Sequence, residues 1–240
     1  MLFIFRKFSV SVLLLRKYLL MIRKLFSYFI PINIYRKNSA VSKSLEVTWN
    51  NGELVLDSMS TNYSYGSLQR ILRKGLKYIG FERIRDFESI LILGVAGGSV
   101  IKTIVDEIKF KGRITGVEID ATIIDIANRY FELDKIQNLE IVIDDAFEFV
   151  LKTKLKYDLI IIDIFEDTKM PNFLFQDFFI NRINSLLNLN GFILFNTMVI
   201  NKKQEERNRV YKSKFGDDYS VRLYPKVEIH NELFTIKKLK

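Results

Sequence analysis

Cysteine is absent from the 240 residues, which excludes disulfides, thiol catalysis and Cys-ligated metals. A single histidine, His230, is too few for a multi-histidine metal centre and gives poor support to a Ser-His-Asp triad. No metal site is expected. Long apolar runs are also lacking: the longest span about eight residues, against the ~20 that cross a bilayer as a helix. Acidic residues are missing from 1–40, which hold eight Lys/Arg: Arg6, Lys7, Arg16, Lys17, Arg23, Lys24, Arg36 and Lys37.

That asymmetry accounts for the net charge of +9, because the remaining 29 basic residues face 28 acidic ones. The body is electrically balanced, so charge gives no argument for nucleic acid. Hydrophobic residues at 48% and charged residues at 27% describe a folded globule. A chain of this length buries ~70% of its unfolded surface without a staple.

Residues 1–40 alternate apolar runs with Arg/Lys pairs, a composition suited to a cationic helix lying on anionic membrane. Residues 1–30 are the candidate peripheral membrane contact. The plainer expectations are that Leu25–Ile34 packs on the domain, or that translation starts at Met21 and 1–20 lie outside the native chain. No small-residue cleavage site follows the apolar stretch, so a secretory signal reads poorly and the expected location is cytoplasmic. Three regions are expected: the head segment 1–40, a hairpin and helix in 41–85, and a ligand-binding domain in 86–240.

In the body, Glu46–Asp57 reads as a β-hairpin turning at Asn51–Gly52, and Ser67–Gly80 as a helix ending on glycine. Strands and helices then alternate. Strands are expected at Ile90–Leu93, Arg113–Glu118, Leu139–Ile143, Tyr157–Ile162 and Gly191–Asn196. Helices are expected at Val100–Ile108, Ala121–Phe131, Phe147–Leu151, Phe173–Leu189 and Glu205–Lys212, with final strands at Ser220–Tyr224 and Glu232–Lys237. Phe173, Phe175, Phe178 and Phe179 read as core-facing, and His230 as structural or exposed. Repeated β-α-β units imply a doubly wound sheet, which binds ligands beyond the carboxyl ends of its strands.

The chemically distinctive residues fall at those ends. The first strand runs into Gly94-Val95-Ala96-Gly97-Gly98-Ser99, either a tight connection or a cradle of main-chain N–H groups at a helix start. It departs from the dinucleotide fingerprint, having Ala96 and Ser99 in place of the second and third glycines. Glu118 ends the second strand, where a carboxylate can accept both hydroxyls of a ribose or simply be solvated; Asp120 reads as a helix cap. Asp145, after the third strand, can cap a helix or accept an adenine amine, with Ala146 leaving room for the base. Asp163 ends the most apolar strand, a costly position unless the acid is paired or used. Carboxylates at these ends would repel a pyrophosphate, so the ligand that fits is a nucleoside carrying a cation, such as S-adenosylmethionine.

The segments LILGVAGGSV, ITGVEIDATIIDIANRYF, IVIDDAFEFV, YDLIIIDIF and GFILFNT resemble the spermidine synthase-like group of class I S-adenosylmethionine-dependent transferases, over about two-thirds of the chain. LVLDSMSTNYSYGSLQ sits where polyamine synthases carry a gating hairpin and a tyrosine-bearing helix. The resemblance implies an α/β, Rossmann-like class I methyltransferase fold. It would have a seven-stranded, mostly parallel sheet of order 3-2-1-4-5-7-6, the last two strands antiparallel, with an N-terminal β-hairpin. It matches Glu118 to the ribose acid, Asp145 to the adenine acid, and Gly94, Ala96 and Gly98 to the cofactor loop. Asp163 matches the acid that helps deprotonate an attacking amine, and Tyr65 the pocket tyrosine.

The departures concern the amine half of the site. Gly97 stands where polyamine synthases carry a loop Asp, Thr61 replaces the hairpin glutamine, and Gly66-Ser67 replace a His-Glu pair. After Asp163, Ile164-Phe165-Glu166-Asp167 replaces the family's D-S-S-D-P pattern. On this basis the reading taken is methyl transfer from S-adenosylmethionine to an unidentified small acceptor, with Asp163 orienting it and Tyr63 and Tyr65 walling the pocket. The alternatives are aminopropyl transfer from decarboxylated S-adenosylmethionine and a non-catalytic nucleoside-binding homologue. Polyamine synthases commonly dimerise, so a homodimer is also an expectation, against which stands the shortened N-terminal region.

Overall fold

The computed structural model describes residues 19, 21–58, 62–64, 66–165 and 169–240. Four strands, β1 (Ile32–Ser39), β2 (Lys43–Asn50), β3 (Glu53–Ser58) and β4 (Asn62–Ser64), form an antiparallel sheet in that order. The hairpin expected from Asn51–Gly52 is its centre, with Trp49 opposite Leu54. β1, drawn from the basic head segment, adds to it with Ile32 opposite Trp49 and Lys37 opposite Leu45. The sheet therefore runs across residue 40. Alternating Lys/Arg and apolar residues had hidden β1 among the residues read as a surface segment.

Two helices follow, α1 (Ser67–Ile79) and α2 (Phe81–Arg85), the second not anticipated because it is so short. The remaining elements alternate: β5 (Ser89–Leu93), α3 (Ser99–Lys102), β6 (Arg113–Glu118), α4 (Ala121–Phe131), β7 (Leu139–Ile143), α5 (Ala146–Lys152) and β8 (Tyr157–Ile162). Then come α6 (Asp177–Leu186), β9 (Leu187–Met198), α7 (Lys202–Ser213), β10 (Tyr219–Tyr224) and β11 (Asn231–Lys238). The seven strands lie in the order β7-β6-β5-β8-β9-β11-β10. Counted within the domain this is 3-2-1-4-5-7-6, as the resemblance implied. β11 runs antiparallel to both β9 and β10.

Alternation along the central strands builds two cores. Ile90 and Ile92 of β5, with Leu159 and Ile161 of β8, meet Leu72 and Leu76 of α1 on one face. Leu91, Leu93, Ile160 and Ile162 meet Phe179 and Ile183 of α6 on the other. Such two-sided burial is what an all-apolar parallel strand requires. A third cluster joins Leu45, Val47 and Leu56 of the N-terminal sheet to Ile123, Ile126 and Phe131 of α4.

Two local expectations are corrected. The helix read over Phe173–Leu189 is a 3-10 turn (Asn172–Phe175), extended Gln176, then α6, and Leu187 already belongs to β9 opposite Tyr157. The ladder breaks between Tyr157 and Leu159, whose partners are Leu187 and Phe192, so Leu187 opens an irregular stretch, with Leu189 inside it, that continues the apolar pattern of α6. Phe178 is exposed while Phe179 is buried, so that aromatic cluster is only partly core. The helix read over Val100–Ile108 begins as α3 and continues as a π-helix, Thr103–Glu107.

Candidate active site

Parallel pairing brings the carboxyl ends of the strands into one row. Glu118 lies opposite Ile143, Leu93 opposite both Val117 and Ile162, and Ile162 opposite Phe195. The ladders continue one step beyond: Asp163 N–H donates to Leu93 O (2.9 Å), Gly94 N–H to Val117 O (3.0 Å) and Asp144 N–H to Glu118 O (3.1 Å). The residues following β7, β6, β5 and β8, and Asn196 next to Phe195 within β9, are thereby neighbours along a single edge.

In the glycine loop, Gly94 has φ +89° and Gly98 φ +80°, and Ala96 also takes a positive φ of 48°. Glycine is required at Gly94, where a Cβ would meet the Asp163 carbonyl; at Gly98 a Cβ would meet the end of the Leu133 side chain, and the positive φ is what favours glycine. Gly97 is buried within the same turn. Gly98 leads directly into α3, which has no side-chain cap.

Glu118 is buried and organises this loop. Its Oε2 accepts from Val95 N–H (3.1 Å) and Ala96 N–H (3.0 Å), and its Oε1 accepts from Asp120 N–H (3.1 Å). Burial raises its pKa, against which the three amide hydrogen bonds pull down. Asp120 caps α4, its Oδ1 accepting from Thr122 N–H (2.9 Å), as expected. Its other oxygen accepts from the hydroxyls of Ser39 (2.5 Å) and Ser42 (2.7 Å), a tie to the β1–β2 turn that the sequence did not disclose. Burial would raise the Asp120 pKa, and these hydrogen bonds outweigh it and lower it.

Asp145 caps α5, its Oδ1 accepting from Phe147 N–H (2.7 Å), and Ala146 is the first residue of that helix, half-buried. The capping and adenine readings of Asp145 are compatible, since the cap is made by one carboxylate oxygen. Asp163 Oδ1 accepts from Nδ2 of Asn196 (2.8 Å), which is fully buried at the end of β9 and in turn accepts from Nδ2 of Asn231 (3.0 Å). Burial pushes the Asp163 pKa up to about 6, partly offset by Asn196. Asn196 was missed in the sequence, although a lone amide closing the apolar run GFILF marked it. Tyr65, Thr61, Glu166 and Asp167 lie outside the described residues. Among the described residues no group of His, Cys, Asp and Glu is arranged to hold a metal ion.

Acids at three strand ends, buried loop amides and an absence of Lys or Arg among the named site residues suit a cationic nucleoside rather than a polyphosphate. The architecture is that of Rossmann-like class I methyltransferases. Within it, the spermine/spermidine synthase domain matches residues 73–220, more than half of the chain, and the chain belongs to that family. The polyamine aminopropyltransferase of Vibrio vulnificus (strain CMCP6) is 31% identical over 139 residues, 57% of this chain and 46% of that protein. The chain spans about half the length of the curated relatives it matches. A crystal structure of spermidine synthase in complex with the transition state analogue AdoDATO superposes with a TM-score of 0.66 at 19% identity, covering 87% of this chain and 74% of that one. Human methyltransferase-like protein 13 in complex with SAH gives 0.60 at 17% identity, covering 73% and 83%. Both structures share the fold.

Proposed function

We propose that the chain is a transferase acting on an S-adenosyl sulfonium, and that the group transferred is aminopropyl, from decarboxylated S-adenosylmethionine to a small amine. The family match and the polyamine aminopropyltransferase relatives favour this over the methyl transfer read from the sequence. In this reading residues 86–240 form the nucleoside-binding domain, and 41–85 supply the hairpin and helix beside it. Glu118 receives the ribose hydroxyls, Asp145 the adenine amine, and Gly94, Ala96, Gly97 and Gly98 allow close approach of the backbone.

When bound, the ligand supplies a carbon next to a positive sulfur, open to in-line attack. The incoming nitrogen forms its bond to that carbon as the S–C bond breaks, and the electron pair leaves with sulfur as a neutral thioether. Asp163 takes the proton that the nitrogen sheds, and Asn196 holds the carboxylate in place. A carboxyl with a pKa near 6 is largely ionised at neutral pH yet basic enough to accept that proton. Tyr65 is assigned to the acceptor side by resemblance. The observation that carries the proposal is the Asp163–Asn196 pair standing beside the glycine loop.

Methyl transfer is the second reading, favoured by Gly97 in place of the Asp that polyamine synthases carry in this loop. Calorimetric titration with S-adenosylmethionine and with its decarboxylated form separates the two. Tighter binding of the decarboxylated ligand, with product formed from putrescine, is expected. Preference for the carboxylate-bearing ligand would overturn aminopropyl transfer in favour of methyl transfer, and silence from both would favour a non-catalytic homologue.

A further inference from the structure

Residues 21–26 are helical and end on Ser27, which is pinned to the β2–β3 turn. Ser27 Oγ accepts from Gly52 N–H (3.0 Å) and donates to Lys24 O (2.6 Å), while Ser27 O accepts from Asn51 N–H (3.0 Å). Lys24 Nζ lies 5.6 Å from the Trp49 ring centroid. This anchorage fixes the segment on the body, and its apolar side chains are not spent on the core. Leu25, Phe26, Tyr28 and Ile30 are each more than half exposed, and Phe29 is 85% exposed. An apolar cluster of this kind on a rigid mount marks a contact surface.

We propose that residues 21–30 are an interfacial membrane contact, seating Phe26, Phe29 and Ile30 among the acyl chains of an anionic bilayer. Charge selects this occupant. Arg23 and Lys24 are exposed beside the cluster, and the chain has no Asp or Glu before Glu46. A second copy docked through the same face would set like charges together, whereas anionic headgroups neutralise them. No helix among the described residues is long and apolar enough to cross a membrane, and the contact proposed is one lying in the plane of the interface. The cluster is the same whether Met1 or Met21 begins the chain, and it is independent of the transferase reading.

The test is co-sedimentation of the full chain with vesicles of phosphatidylcholine alone and of phosphatidylcholine mixed with phosphatidylglycerol. Binding to the mixed vesicles is expected, falling as salt rises. Phe26→Ser/Phe29→Ser/Ile30→Ser should weaken it on the order of ten-fold or more. Arg23→Glu/Lys24→Glu should lower it by a comparable factor on the anionic vesicles only. All changed residues are exposed, so unchanged melting of both variants controls for folding. Failure to bind the mixed vesicles, or full binding by the triple variant, would overturn the proposal. So would a dimer in sedimentation velocity that the triple variant abolishes while vesicles remain unbound, which would assign the face to a second copy.

Discussion

Gly94 and Asp163 meet backbone to backbone: a methyl group on Gly94 would collide with the carbonyl oxygen of Asp163. The glycine turn, to which nucleoside binding is assigned in the proposed function, and the turn that carries the proposed base are thus in contact.

Gly94→Ala is expected to destabilise the chain by about 2 kcal/mol or more, because it adds that clash to a positive φ. Urea denaturation measures the loss. Turnover should fall further than the loss of folded protein explains, since relief of the clash moves Asp163.

Glu118→Ala should weaken nucleoside binding by about 1.5–3 kcal/mol, the worth of hydrogen bonds to a charged group. It also leaves the amides of Val95, Ala96 and Asp120 without their acceptor, so melting temperature should drop in the absence of ligand. Glu118→Gln keeps one acceptor oxygen for Val95 and Ala96 but turns an NH2 donor toward the Asp120 N–H, so it should recover only part of the stability and little of the affinity, as read by denaturation and calorimetry.

Asp163→Asn should leave nucleoside binding intact and depress turnover. In the parent, the acidic limb of the rate profile should have its midpoint at a pH of about 6, and the variant should lose it. Stability gives a second readout with a definite sign. The folded pKa lies above the unfolded value of 3.8, so the folded state holds the proton more tightly and the parent loses stability as pH rises from about 4 to about 6. Denaturation of both proteins at pH 5 and pH 7 should show Asp163→Asn gaining on the parent at the higher pH. Asp57, raised to about 6 by burial and the nearby Glu46, contributes with the same sign.

Asp120→Ala removes a helix cap together with the acceptor of two serine hydroxyls. A cost of about 1–2 kcal/mol is expected from the cap alone, and the double variant Ser39→Ala/Ser42→Ala should reproduce only the remainder. Chemical denaturation of the three variants checks the partition.

The seven-stranded sheet was legible in the sequence because each strand is a short apolar run with a chemically marked end, from Leu93-Gly94 to Ile162-Asp163. Order and pairing followed from family resemblance rather than from periodicity. The failures share a cause: pairing over long range overrides local pattern. β1 reads as a basic surface segment because its Lys and Arg side chains face solvent, and only its partner β2 makes it a strand. Leu187 reads as helix because nothing nearby announces its pairing with Tyr157 and the break in the ladder that follows. Within the site, the acids were visible as residues, but their partners were not. Asn196 reaches Asp163 from 33 positions away and Ser39 reaches Asp120 from 81, distances at which a sequence carries no spacing signal.

The Ser39 and Ser42 hydroxyls hold Asp120, the Asp120 amide holds Glu118, and Glu118 holds Val95 and Ala96. The shape of the glycine loop is therefore inherited, link by link, from a turn in a different sheet. Under the proposed reading, sequence change in that turn is a route by which this scaffold can retune affinity while the residues assigned to the ligand stay the same.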